Sequence, residues 1–208
     1  MRIPLVALVF VLSVVGSPLR LAAQAAPAAA QAGQVQVDVG NVRFSAVRWE
    51  GANWLETEVE LITTPGGRAV STAFVDRVRI TLNLMFEVAV EGVTQKRFYR
   101  STVEAITLKG GRSAVRFYLP PEVVERDSLR PDVKYYTVEL EIDGQLQPPT
   151  RATVAKDFLS AESVKGFQGM VSAEAAKNDG LLMPQYLTPF ANDPRRASPT
   201  LLRRESLR

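Results

Sequence analysis

Three kinds of side chain in "RWEGANWLETEVEL" (Arg48 to Leu61) could do chemistry. Trp49 and Trp54 are the chain's only two tryptophans. Glu56, Glu58 and Glu60 alternate with apolar and Thr residues, which on a strand sets their carboxylates on one face about 7 Å apart from one to the next. Rings beside acids suit more than one task. They can stack on sugar rings while carboxylates hold the hydroxyls. They can form a protein interface, where tryptophan is enriched. They can also cap the end of a folded body, covered by other parts of the chain. Paired carboxylates hydrolyse glycosides at separations of about 5–5.5 Å or 6.5–9.5 Å. An open strand face, however, lacks the burial that would raise one pKa. The ladder therefore reads as a solvated face opposite arginines, with Arg77 and Arg79 as expected neighbours.

Other chemistry is narrowly bounded. The 208 residues contain no cysteine and no histidine. Disulfides, thiol nucleophiles and lipid-bearing cysteines are excluded, as are Ser-His and Cys-His catalysis and His-rich metal sites. "TPGGR" and "KGGR" lack the spacing of a phosphate-binding loop and read as turns. No catalytic constellation emerges, and the expectation is a protein that is not an enzyme and takes no cofactor.

Placing the tryptophans requires the elements around them. If Glu50 to Asn53 form a four-residue hairpin loop, Trp49 lies opposite Trp54, Val47 opposite Glu56, Ser45 opposite Glu58 and Arg43 opposite Glu60. The other face then gathers Val42, Phe44, Ala46, Thr57, Val59 and Leu61. Both tryptophans fall on the outer, acidic face. Upstream, Val35, Val37 and Val39 alternate in one phase and Val42, Phe44 and Ala46 in the other, so Gly40-Asn41 marks a bulge or a break between two short strands.

Val78, Ile80, Leu82, Leu84, Phe86 and Val88 make a long central strand. Lys96 to Leu108 follow, then Val115, Phe117 and Leu119. Pro121 opens a helical turn. Tyr136 to Ile142 form another strand, and Asp143-Gly144 is a hairpin signal with the return strand at about Arg151 to Val154. Ser160 to Asn178 carries Val164, Phe167, Met170 and Val171 at helical spacing, with Asn178-Asp179-Gly180 as its stop. Seven or eight strands with frequent turns predict a mainly β fold: an immunoglobulin-like antiparallel β-sandwich with a C-terminal helix and an extended Pro-rich tail.

The organisation predicted is a secretory signal peptide over 1–23, a flexible Ala/Gln-rich lead-in over 24–34, the sandwich over 35–155, a helical segment over 156–180 and a Pro/Arg-rich tail over 181–208. Export of a cysteine-free chain fits a periplasm or cell surface. The net charge of +3 comes from the two ends, so a nucleic-acid-binding body is not expected. The tail carries apolar anchors at Leu181, Leu182, Met183, Tyr186, Leu187 and Phe190. These could dock on the chain's own sandwich or on a partner. Its arginines leave open a membrane-proximal contact with anionic headgroups. With Trp49 and Trp54, these six are the candidate partner-binding residues.

"NWLETEVEL" (Asn53 to Leu61) and "FVDRVRITLNLMFE" (Phe74 to Glu87), in an exported chain with such a body and tail, resemble a known group. They look like the small pilus-associated immunoglobulin-like proteins encoded beside the type IV pilus locus of Akkermansia-type Verrucomicrobia. The resemblance covers about Val35 to Pro189 and carries no catalytic residues. It implies a periplasmic, non-enzymatic accessory component of a type IV pilus-like assembly whose partners are other envelope or pilus-assembly proteins. The N-terminus departs from major pilins, which keep a long apolar helix, so the polymerising subunit is not expected. The alternative function is a secreted or periplasmic carbohydrate-binding module using Trp49 and Trp54 with Glu56 or Asn53.

Overall fold

The computed structural model describes residues 36–64, 74–158 and 160–203. The signal peptide, the lead-in and most of the "TTPGG" turn lie outside them.

The first hairpin joins β1 (Gln36–Trp49) to β2 (Ala52–Thr64). Its loop is two residues, not four: Glu50 and Gly51 both have positive φ, 48° and 87°. That is the turn whose twist matches the flanking strands, and it extends the pairing to Trp49–Ala52. Trp54 therefore lies opposite Val47, Glu56 opposite Ser45 and Glu58 opposite Arg43. The shift is two residues, an even number, so every side chain keeps its expected face. The phase change at Gly40 is a bulge between Val39 and Asn41 within one continuous strand.

The chain continues through β3 (Phe74–Val90), β4 (Val93–Lys109), β5 (Gly111–Leu119), the short α1 (Pro121–Arg126) and β6 (Tyr135–Ile142). Asp143-Gly144 turns the chain as expected, but into β7 at Gln145–Leu146 rather than at residues 151–154. Pro148 and Pro149 offer no N–H to a ladder. Residues 151–153 instead wind into a 3₁₀ turn closed by reciprocal Thr150–Thr153 bonds, and Val154 makes only an isolated bridge to Thr137. The helix α2 (Ala161–Glu174) is capped by Ser160, whose hydroxyl accepts from the Ser163 N–H, and a 3₁₀ turn extends it through Asn178.

The tail is regular in part. It forms β8 (Met183–Pro184), 3₁₀ turns over 185–187 and 189–192, and β9 (Leu201–Leu202). One sheet has the order β1-β2-β5-β8 and the other β7-β6-β3-β4-β9, with every pairing antiparallel. The molecule is an antiparallel β-sandwich of the immunoglobulin-like kind with a C-terminal helix.

The period-two residues meet between the sheets. Val59, Leu61, Val78, Ile80, Leu82, Leu84, Val115, Phe117 and Leu119 are fully buried in one core. Helix α2 and the 3₁₀ turn after it cover the outer face of the second sheet, where Phe167, Val171 and Ala175 bury Met85 and Phe98 in a second, smaller core. This is why β3 is buried on both faces, with Asn83 enclosed and donating to Thr137 and Glu139. Met170, placed at helical spacing, remains 41% exposed. The tail closes one side of the sandwich, since β8 adds to β5 and β9 to β4, while Asn178 just before it donates to the Phe98 carbonyl.

Candidate functional site

The outer face of the first sheet is where the tryptophans and glutamates meet. Antiparallel pairing of β2 with β5 sets Glu56 beside Tyr118 and Glu58 beside Arg116. With Trp54 6.4 Å from the Tyr118 ring, the sheet presents a floor of rings and carboxylates. The tail sits on it. Phe190 stacks on Tyr118 at 4.6 Å and 17°, and meets Trp49 and Trp54 edge to face at 5.5 and 5.6 Å. Such aromatic contacts each contribute about 0.5–1.5 kcal/mol beyond the area they bury.

Local sequence explains how Phe190 is aimed. Pro184 is tolerated because β8 is an edge strand. The Thr188 hydroxyl then accepts from the Phe190 N–H at 3.2 Å, and Pro189 opens the 3₁₀ turn. Gln185, 3% exposed, holds the loop closed by donating to the carbonyls of Phe190 and Arg196 at 3.0 and 2.8 Å.

Arg196 completes the contact. Its guanidinium lies 5.2 Å from the Phe190 ring centre, and its Nε donates to Glu56 Oε2 at 2.8 Å. The same oxygen accepts from the Tyr118 hydroxyl at 2.7 Å, and Ser45 donates to the other at 3.4 Å. Burial, reinforced by Glu56, pushes the Tyr118 hydroxyl well above the usual phenol range. Burial alone would lower the Arg196 pKa, but hydrogen bonds to Glu56 and Asp193 outweigh it and raise it. Arg195 and Arg196 hold Asp193 down at about 2. Arg116 pairs with Glu58 and donates to the Ala197 carbonyl at 2.9 Å, pinning the far end of the segment.

The candidate residues thus divide. Phe190 and Leu182 are buried in the chain's own body, at 1% and 2% exposure. Leu181, Met183, Tyr186 and Trp54 are half-buried. Trp49 at 36% and Leu187 at 59% keep open surface. The glutamate ladder does face arginines, but other ones, and it is not solvated throughout, since Glu56 is buried beneath the tail. Glu56 pairs with Arg196, Glu58 with Arg43 and Arg116, and Glu60 with Arg43 and Arg112. Arg79 lies in the other sheet and pairs with Glu104 and Glu141, because β2 and β3 belong to different sheets. The sequence reading did not single out Tyr118, Arg116, Gln185 or Arg196. Their signal was present in part: Arg116 and Tyr118 alternate with Val115, Phe117 and Leu119, so they must share β5's outer face.

On the opposite side, a cavity of about 360 Å³ opens between the start of β1, the β6–β7 hairpin and α2, lined by Val37, Val39, Leu140, Leu146 and Val164 among others. Near α1, the Tyr99 hydroxyl and Arg126 both donate to the enclosed Asp127 carboxylate. Among the described residues no cluster of acidic side chains is placed to hold a metal ion, and no helix is long and apolar enough to cross a membrane.

A crystal structure from Akkermansia muciniphila shares this architecture. It superposes with a TM-score of 0.63 over 82% of this chain and 95% of that one, at 16% sequence identity. At that identity the likeness is one of fold. No family model matches the chain, and no curated protein does.

Proposed function

We propose that this chain is a non-enzymatic interaction protein of the cell envelope, exported to the periplasm or cell surface, and an accessory component of a type IV pilus-like assembly. The observation that carries an interaction role is β1. It is 14 residues long and ends its sheet, pairing with β2 on one side and with no strand on the other among the described residues. A long unpaired edge accepts an extended segment of a partner by main-chain hydrogen bonding, with affinity from the ladder and selectivity from the side-chain pockets. The apolar cavity beside the start of β1 supplies such a pocket. The assembly itself is suggested by the resemblance in Asn53–Leu61 and Phe74–Glu87, and the fold shared with an Akkermansia protein is consistent with it. A sugar-stacking role is less well supported, since Phe190 fills the space between Trp49, Trp54 and Tyr118.

The test is site-specific photo-crosslinking in native envelopes from Ala46, an exposed position on β1. Adducts with secretin or inner-membrane pilus components are expected. Adducts with none of the assembly's subunits would overturn the assignment.

A further inference from the structure

The floor of Trp49, Trp54, Tyr118, Glu56 and Glu58 is built for a segment of defined chemistry: an aromatic ring followed, six residues on, by an arginine. Phe190 and Arg196 show the fit directly. The ring is enclosed by three aromatic side chains, and the guanidinium lies between Glu56 and Asp193 while crossing the Phe190 face. We propose that this seat also takes the tail of a second copy of this chain, so that two molecules join by exchanging residues 181–203.

Three observations point to that occupant. First, the tail's backbone bonds to the body are strand additions, β8 onto β5 and β9 onto β4, with Thr200 accepting from the Ile106 N–H at 2.9 Å. A ladder of this kind is indifferent to which molecule supplies the added strand. Second, the connection is short. Asn178 is anchored to the Phe98 carbonyl and β8 begins at Met183, with Gly180 between them at φ 76°. A short connection with one left-handed residue is the kind of hinge that, by opening, favours exchange. Third, the tail brings the charge the seat needs: its Arg196 pairs with Glu56, while Arg116 of the seat, itself paired with Glu58, donates to the tail's Ala197 carbonyl. Leu187 at 59% and Trp49 at 36% leave apolar surface at the tail's margin for a neighbouring molecule to cover.

Exchange differs from fixed self-docking in one measurable way: it allows complementation between molecules. Glu56→Arg sets two arginines against each other within one chain, and Arg196→Glu sets two acids. When the two variants are mixed, each tail finds an opposite charge only in the other molecule's seat. Sedimentation of the equimolar mixture is expected to show a species of twice the monomer mass that neither variant forms alone. The double variant in one chain, which restores the pair both within and between molecules, should recover the wild-type distribution of monomer and dimer. Folded variants whose mixture stays monomeric would overturn the proposal.

If either charge variant fails to fold, the absence of native cysteine provides a second route. Ala105 pairs with Leu201 across β4 and β9. Oxidising a mixture of Ala105→Cys and Leu201→Cys chains should yield a covalent heterodimer on a denaturing gel. No heterodimer, or an equal yield when Ala46→Cys replaces Ala105→Cys, would overturn it.

Discussion

Glu56 has three donors within reach, and that count separates it from its neighbours on the same strand face. It accepts from Tyr118, Arg196 and Ser45 while itself 7% exposed. Removing it leaves the enclosed Tyr118 hydroxyl without its acceptor and the largely covered Arg196 guanidinium with Asp193 alone. Glu56→Ala should therefore lower the unfolding free energy by about 2–4 kcal/mol, read from denaturant midpoints. Glu60 meets Arg43 and Arg112, whose side chains are 65% and 76% exposed. Solvent screens those pairs, so Glu60→Ala should cost less than about 1 kcal/mol in the same titration. Asp127 belongs to the same scale. Burial pushes its carboxyl up, but hydrogen bonds from Arg126 and Tyr99 outweigh that and hold it below the ordinary value. A depressed folded pKa gives stability that is complete above the unfolded value of about 3.9 and is lost as pH falls through the folded one. The wild-type melting temperature should thus fall more steeply below about pH 4 than that of Asp127→Asn, which lacks the titrating group.

At the scale of elements, the first hairpin and the tail depend on a few conformational decisions. Gly51 at φ 87° completes a two-residue turn that an L side chain enters with strain. Gly51→Ala should cost about 1 kcal/mol, measured by thermal or denaturant unfolding, with no change in fold. Phe190 packs the tail against the three rings on the first sheet's outer face. Phe190→Ala leaves a cavity among three rings, an expected loss of about 3–5 kcal/mol. Both tryptophans border that cavity, so their fluorescence should shift to the red in the native state. An unchanged spectrum would mean that the tail is held without the ring cluster.

For the whole molecule, the tail from Leu181 onward is part of the sandwich. Leu182 lies within the main core, and β8 and β9 complete both sheets on one side. A chain ending at Gly180 would bare the edges of β4 and β5 and lose both buried anchors. It should bind a hydrophobic dye and lose its sharp unfolding transition. A truncated chain that melts at the full-length temperature would show the tail to be separable. The two sides of the sandwich therefore differ: β4 and β5 are covered by the chain's own C-terminus, while among the described residues no second strand pairs with β1. That asymmetry is what the envelope-subunit proposal uses.

Much of this was legible in the residues. Alternation with period two identified β1, β2, β3, β5 and β6 and their inner faces, because burial of one face forces apolar residues to alternate; β4 reads only as a strand with mixed faces. Ser160 and Gly180 bracketed the helical segment, because capping and left-handed φ have local chemical requirements. The facing of both tryptophans followed from the same alternation, and it survived a two-residue error in loop length because strand periodicity is even. The partner of each outward residue was not legible. Whether Glu56 would meet Arg79 or Arg196 depends on which strands share a sheet and where a segment 140 residues away returns. Alternation is silent on strand order, and Pro-rich stretches carry no period at all. Phe190, Arg196 and Gln185 gain their roles only when the tail lies across β5, a long-range contact that no local preference encodes. Sequence determined which face of each strand looks outward; tertiary structure decided that the acidic, aromatic face would be covered by the chain's own end.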